Sequence, residues 1–552
     1  MAQFPLIDQA SLVMIPGAYK EGKIYSQLPT DGSGDFTYTR GTDTATRVNE
    51  NGLIEKGYEN TLLQSNNWAQ SDSQYEITGG EAGYDGTNDA WLVNKLAAAY
   101  FSKDALVLTG VMTISFYAKA GSLDRIFVFI GGDAARFDLT NGTAVSAGGN
   151  SVSQNIELVS GTTDWYRCSI VLNKTSTQNL LIKPQNSSNQ DVTGTIYIQD
   201  AQLNQGLVAY PYLETTTVPV YAGLTDNMPR LDYTDATCPS LLLEPSRTNL
   251  IKQSEWMGGL TLQEISVDVD NTVSPEGYAN VSKITSLNIS SKITNSGIPY
   301  VAGTTYTFSA WVKNIDASTV QFLWYDGSSN RVYKENEVNT ETFTRISFSF
   351  TPSNTISGQI QIARDLPAGQ SFYVYGAQLE EGSYPTSYIP TYGSAQTRAA
   401  DNPFQLDVTN LTSTYNTLYA EFEVISITNQ GKIALSDNGQ TNRMTIYQNG
   451  GGVLLLLNAN GSAQTVIQAS NVLSVGTNYK VIAKHQDGSH ALFINGTKIG
   501  EESSTTPTGL NRLRYGNEAN SISSQKFSGN IKQTLLFPVA LTDQECIDLT
   551  TL

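Results

Sequence analysis

Four stretches of this 552-residue chain occur twice, in the same order, at separations of 176 to 194 residues. Leu62–Trp68 (LLQSNNW) pairs with Leu250–Trp256 (LIKQSEW), and Thr113–Lys119 (TISFYAK) with Thr307–Lys313 (TFSAWVK). Trp165–Ile170 (WYRCSI) pairs with Phe343–Phe348 (FTRISF), and Tyr197–Leu203 (YIQDAQL) with Tyr373–Leu379 (YVYGAQL). In the last pair Gly206 or Gly382 follows, and then a Tyr/Pro-rich exit. Self-similarity on this scale constrains the architecture before any local reading, because both copies must be units that fold the same way. The separation drifts while the order holds, as insertions and deletions in loops between fixed strands produce.

The repeated stretches read as strands. Ile114, Phe116 and Ala118 fall on one face and Thr113, Ser115, Tyr117 and Lys119 on the other, the period-two alternation of a half-buried antiparallel strand, and the second copy repeats it position by position. Short strands separated by turn residues within ~150 residues predict a β-sandwich or jelly roll for each copy. Charged residues make up only 15% of the chain, too few for long amphipathic helices.

The net charge of −18 opposes contact with phosphate backbones or anionic membranes, so nucleic acid is not an expected partner. No apolar run approaches the ~20 residues that span a bilayer, and the first residues lack the basic and apolar regions of a Sec leader. Three scattered cysteines, Cys168, Cys238 and Cys546, form no disulfide framework.

The phrases Pro245-Ser246-Arg247-Thr248-Asn249-Leu250 and Ala377-Gln378-Leu379-Glu380-Glu381-Gly382 resemble those of jelly-roll modules, similar to carbohydrate-binding modules, in phage structural proteins. So do Phe36-Thr37-Tyr38-Thr39-Arg40-Gly41, Thr46-Arg47-Val48-Asn49 and the linking Asn227-Met228-Pro229-Arg230-Leu231-Asp232-Tyr233, and the resemblance covers roughly residues 1–398. The first copy departs from it: Lys56-Gly57-Tyr58-Glu59-Asn60-Thr61-Leu62 stands in place of Pro-x-Arg-Thr-Asn-Leu. From about Asp401 a new strand series begins, with hairpin signals at Asp487-Gly488 and Asn495-Gly496 that supply positive φ for type I′ turns. Thr542 with Glu545 is a capping box for a short last helix. This order resembles a laminin-G/concanavalin-like sandwich.

The expected organisation is all-β: an attachment segment (1–57), a jelly roll (58–216), a linker (217–245), a second jelly roll (246–398) and a concanavalin-like sandwich (399–552). Met14-Ile15-Pro16-Gly17 and Pro29-Thr30-Asp31-Gly32-Ser33-Gly34-Asp35 break up the first segment, which is expected to order only against a partner. The resemblance implies a virion protein, a head or tail fibre or spike assembled in the host cytoplasm. It further implies a homo-oligomer, a trimer among the options, that binds other virion proteins through residues 1–57 and meets host-surface glycans.

Side chains able to do chemistry are sparse. His485 and His490 are the only histidines; they flank a hairpin turn and are expected at the surface, without the further ligands a metal needs. No Gly-x-Ser-x-Gly elbow accompanies them. Glu380-Glu381 and Glu501-Glu502 point to opposite strand faces, so neither pair can flank one glycosidic bond while extended. The expectation is a protein that is not an enzyme and needs no cofactor, with a polysaccharide depolymerase or a secreted carbohydrate-binding adhesin as alternatives.

Sugars stack on aromatic rings, which makes Tyr117 and Trp311, equivalent in the two copies, candidate platforms; packing under a loop or second sheet is the competing reading. Trp324 and Tyr325 are further candidates, and their first-copy equivalents are Ile130 and Gly131. Asp437, Asp85 and Asp89 offer oxygens for a structural Ca²⁺, although turn chemistry alone explains them.

Overall fold

The computed structural model describes residues 6–551 apart from 71, 235–236, 271, 318, 326–329, 337–340, 404–405, 428–429, 440 and 517–526. The chain is all-β, built from antiparallel sheets, with one short α-helix, Asp543–Thr550, among the described residues. That helix begins with the expected capping box, Thr542 and Glu545 bonding each other's backbone amides.

Each copy is a sandwich. In the first, the strand Gly110–Ala120 lies between Trp165–Lys174 and Gly194–Gln205 in a six-stranded sheet. Ile114, Phe116 and Ala118 pack onto Ile126, Val128, Ile130 and Phe137 of a five-stranded sheet. In the second, Tyr306–Asn314 lies between Thr344–Phe350 and Ser371–Glu381, and Phe308, Ala310 and Val312 face Phe322 and Ile360. The repeated stretches are thus the centre of one sheet in each sandwich.

Those central strands are buried on both faces rather than half-buried, because each copy's exit segment lies over the polar face. Thr113, Ser115, Thr307 and Ser309 are all buried. Arg167 donates to Ser115 Oγ and to the carbonyl of Tyr210; Arg345 donates to Ser309 Oγ and to the carbonyl of Thr386. The Gln202 and Gln378 side chains clasp the same exits through the amides of Leu213 and Ile389. Asn60 donates to the carbonyls of Ala201 and Leu213 and accepts from the amides of Leu62 and Leu203. Asn249 makes the same four bonds, with Ala377, Ile389, Ile251 and Leu379. The departure in the first copy's wording therefore leaves its key asparagine in place.

This bonding also moves the first sequence match by one residue. Ser65 and Ser254 hold the hydroxyls of Tyr212 and Tyr388, each at 2.6 Å, so the core residue Trp68 corresponds to the core residue Met257 and not to Trp256.

The third sandwich packs a six-stranded sheet on an eight-stranded one. The N-terminal segment, expected to order only against another protein, is ordered by this chain itself. Leu12–Met14 pairs with Thr534–Leu536, and linker strand Ser240–Leu243 pairs further along the same edge, at Gly529–Ile531. Leu12, Met14, Ile24, Phe36, Tyr38, Leu231, Leu241 and Leu243 share one core with the concanavalin-like strands. Burial of these apolar side chains and closure of an open sheet edge are what order them. At the hairpins, Asn495 and Gly496 both have positive φ, as a type I′ turn requires, whereas at Asp487-Gly488 only the glycine does.

Asn249→Ala removes four bonds to buried backbone groups and should destabilise the protein by roughly 3 kcal/mol, read as a lowered urea midpoint. Thr248→Ala, half-buried one residue earlier and losing only a bond to the Thr397 hydroxyl, should change it by no more than about 1 kcal/mol.

Candidate functional site

Beside the clasp, each central sheet carries a β-bulge at the same place. The register slips between Phe116 and Tyr117 opposite Asp200, and between Ser309 and Trp311 opposite Gly376. Asp200 and Gly376 both have positive φ, of 44° and 64°. The residue at which register resumes is the aromatic in both copies, Tyr117 or Trp311, and a bulge at such a place re-aims its side chain.

The two platforms then differ. Tyr117 is 8% exposed, because Tyr84 stacks on it at 3.8 Å with planes 9° apart and is tied down by its hydroxyl on Asp200 at 2.9 Å. Trp311 is half-buried. Tyr388 and Tyr375 meet it at 5.9 and 6.2 Å without stacking, and the Arg345 guanidinium lies 4.4 Å from its ring centre. Among the described residues no ring stacks face to face on Trp311.

Trp311 opens into a cavity of about 550 Å³ between the second and third sandwiches. Arg345, Tyr384 and Tyr388 line it from the second sandwich; Thr46, Val48 and Ile54 from the N-terminal segment; Glu423, Val475 and Asn530 from the third. Glu244 lies at its floor, in a buried network. Burial would raise its carboxyl, but Arg398 and Arg230, at 2.8 and 2.7 Å, hold it at about 2. Burial pushes the Arg345 guanidinium down against the pull of Glu380 and Glu244, and it stays cationic because arginine does not deprotonate in proteins. The cleft therefore presents a half-buried aromatic side chain, a fixed cation and hydrogen-bonding groups from three parts of the chain. A general acid must hold its proton near neutral pH, and Glu244 is at the opposite extreme.

The other candidates take structural places. Trp324 is 4% exposed and stacks on Phe350 at 4.7 Å inside the second core, so it offers no platform; the neighbouring Tyr325 is half-buried at the end of its strand. Trp324 and Tyr325 are not part of the Trp311 cleft. Asp437 accepts from the amides of Gly439 and Asn442 and from the Asn442 side chain, as a turn-closing residue does. Asp85 and Asp89 both accept from Thr87 and Gln199, fastening the loop that carries Tyr84. Among the described residues no group of three or more His, Cys, Asp or Glu is placed to hold a metal ion.

His485 and His490 are buried, contrary to the surface position expected of a hairpin. They pair across it with ring centres 6.3 Å apart. Asn416 Nδ2 lies 3.2 Å from His485 Nε2, and the Ser504 carbonyl 3.3 Å from His490 Nε2. The hairpin is an inner part of the eight-stranded sheet, flanked by Asn416–Val424 and Thr497–Glu502, which is why its side chains are covered.

Residues 398–546 match the sequence model of the concanavalin A-like lectin/glucanases superfamily. No curated protein matches the chain. Among solved structures, the chain is similar to the CBM40 of Ruminococcus gnavus IT-sialidase bound to α2,3-sialyllactose, at 18% identity over 26% of this chain and 84% of that one, TM-score 0.23. It is also similar to the CBM22-1–CBM22-2 tandem domain of Paenibacillus barcinonensis Xyn10C (11% identity, 59% and 97% coverage, TM-score 0.20). A third is the Caenorhabditis elegans galectin LEC-6 (14%, 24% and 92%, TM-score 0.20).

Sequence reasoning found Trp311 through its place in the repeat. It missed Arg345, although the repeated aromatic-x-Arg was visible, and it could not see that Thr46 and Ile54 reach the same cleft.

Burial holds the His485 imidazole down at about 3, with His490 a further cause, and burial lowers His490 as well. In the unfolded chain a histidine gains its proton below about 6.5. The unfolded state then binds more protons, so stability should be flat with respect to these groups above about pH 6.5 and fall as the pH drops toward 3. Urea midpoints measured across that range should fall less steeply for His485→Gln than for the unsubstituted protein.

Proposed function

We propose that this chain is a non-catalytic virion structural protein of a phage, a fibre or spike subunit, that meets host-surface glycans at the Trp311 cleft. The observation that carries the reading is the contrast between the two bulges. The same platform is sealed by Tyr84 in one copy and left open beside a fixed guanidinium in the other. A half-exposed aromatic side chain with convergent polar groups suits a sugar ring, whose apolar face packs on the aromatic ring while its hydroxyls are hydrogen-bonded.

The match of residues 398–546 to a superfamily of lectins and glucanases supports carbohydrate contact. The wording of residues 1–398 supports the virion role and membership of a homo-oligomer. Attachment to other virion proteins uses residues 1–57, through the surface that the described part, 6–57, leaves outward, since Leu12–Met14 is committed to the sheet of the third sandwich.

On a glycan array carrying host-surface polysaccharides, the whole protein should bind a defined subset. Trp311→Ala should lose that binding by about tenfold or more, while Trp311→Tyr keeps most of it. Retention of full binding by Trp311→Ala would contradict the reading. Immunogold labelling of purified particles should place the chain on the virion.

A further inference from the structure

The five-stranded sheet of the first sandwich has a solvent face unlike its counterpart. Along Arg125–Ile130, the residues Ile126, Val128 and Ile130 enter the core, which turns Arg125, Phe127 and Phe129 outward, all half-buried. Register then builds a row across four strands. Val145 is opposite Arg136, Arg136 opposite Phe127, and Phe127 opposite Lys183. Tyr100 closes the row, with its ring 6.3 Å from Phe127.

Cations and rings alternate along this row. The Arg136 guanidinium lies 5.3 Å over Phe127, and the Lys183 ammonium 4.1 Å over Tyr100. The ends are open, with Val145 54% and Tyr100 37% exposed. Lys183 is paired with Asp191 at 2.9 Å and Arg125 with Asp138 at 3.0 Å. Among the described residues Arg136 has no carboxylate partner; its Nε donates to the neutral Gln185 side chain at 3.1 Å.

On a chain of net charge −18, a half-exposed guanidinium held over a ring and left unneutralised is a local site of opposite sign. The second copy does not preserve it. By the spacing of core-facing residues, Phe127 corresponds to Gln321, so the ring at the centre of the row is absent from the second copy. Such a face is not needed for the fold, because the second sandwich forms without it.

We infer that this face is a second binding surface, selective for acidic glycans, in which Arg136 holds a uronic acid carboxylate and the sugar packs against the row that Phe127 and Tyr100 form. Guanidinium and carboxylate match in geometry, and the stacked ring holds the guanidinium in place before the ligand arrives. The inference rests on reading the chain as a glycan-contacting protein, but it uses a surface separate from the Trp311 cleft.

The test is calorimetric titration of the full chain at low ionic strength with a short oligogalacturonate and with a neutral β-galactan oligomer of the same length. Oligogalacturonate should bind, more weakly as salt is added, and the neutral oligomer should bind less well. Arg136→Gln should weaken oligogalacturonate binding about tenfold. Phe127→Leu, which keeps an apolar side chain on the sheet, should weaken it too, and Trp311→Ala should leave it unchanged. Absence of oligogalacturonate binding, equal binding of the neutral oligomer, or unaltered binding by both Arg136→Gln and Phe127→Leu would overturn the inference. So would loss of binding in Trp311→Ala alone, which would place acid recognition in the cleft. Failure of Trp311→Ala to affect neutral glycans on the array bears on the cleft and leaves this result standing.

Discussion

Asp401 is a fully buried carboxylate, and three separate stretches of the chain converge on it. Arg230 of the linker pairs with it, Tyr38 of the N-terminal segment donates its hydroxyl, Arg40 lies 3.7 Å away, and the amide of Glu244 donates at 2.9 Å. Glu244 in turn joins Arg230 to Arg398 at the end of the second copy. Burial would raise the Asp401 carboxyl, but Arg230 and Arg40 keep it below its ordinary range. A buried charge is tolerated only when paired and hydrogen-bonded, and loss of one partner typically costs about 3–5 kcal/mol. The net stabilisation from such a network is small, because desolvation of the ions offsets their attraction, but removal of any one partner strands the others without compensation. A second hub, with Lys56 between Glu255 at 2.6 Å and Glu276 at 3.1 Å, adds the hydroxyl of Tyr210 from the first copy. Together the hubs join both copies, the N-terminal segment and the third sandwich, and all but the first copy contribute lining to the Trp311 cleft.

Duplication explains how one scaffold yields unlike surfaces. The clasp of Asn60/Asn249, Gln202/Gln378 and Arg167/Arg345 is shared, so each copy closes in the same way. The difference starts at the bulge. In the first copy Asp200 supplies a carboxylate for the Tyr84 hydroxyl, and Gln199 holds the amide of Tyr84 and the loop acids Asp85 and Asp89. In the second copy Gly376 replaces Asp200 and has no side chain to hold a cap; a Cβ there would lie 2.9 Å from the Trp311 ring. Tyr375 replaces Gln199 and bonds Glu276, drawing that loop's carboxylate into the buried hub instead. The two bulge residues thus hold different partners in the two copies, and in the equivalent loop of the second copy, closed by Ser274 and Tyr278 as Gly83 and Thr87 close the first, Pro275 stands where Tyr84 does.

Much of this was legible in the sequence where the signal was local or repeated. Strand alternation identified the central strands, the duplication located both sandwiches, and the Thr542/Glu545 spacing announced the last helix. Long-range partnership was not legible. Leu12–Met14 is three residues long, and nothing in its own sequence indicates an edge more than 500 residues away. The polar half of an alternating strand looks the same whether water or a clasped exit segment covers it, so Tyr117 and Trp311 could not be distinguished beforehand. Trp324 reads as an attractive platform because tryptophan at a strand end fits both a sugar site and a core; only the Phe350 stack decides between them. The histidines were misplaced for a related reason, since hairpin residues are surface residues only when the hairpin lies at an edge.

The central claim is that the N-terminal segment and linker are integral to the third sandwich, fixed by the Asp401 network, rather than appended to it. Hydrogen exchange on the whole protein tests this most directly. Amides of Val13 and Leu242, which donate to Leu28 and Arg230 beside the shared sheet edge, should exchange as slowly as those of Ile531–Phe537 and should lose protection together with them as denaturant is added. Exchange of Val13 and Leu242 at the rate of free peptide, while the Ile531–Phe537 strand stays protected, would contradict the account.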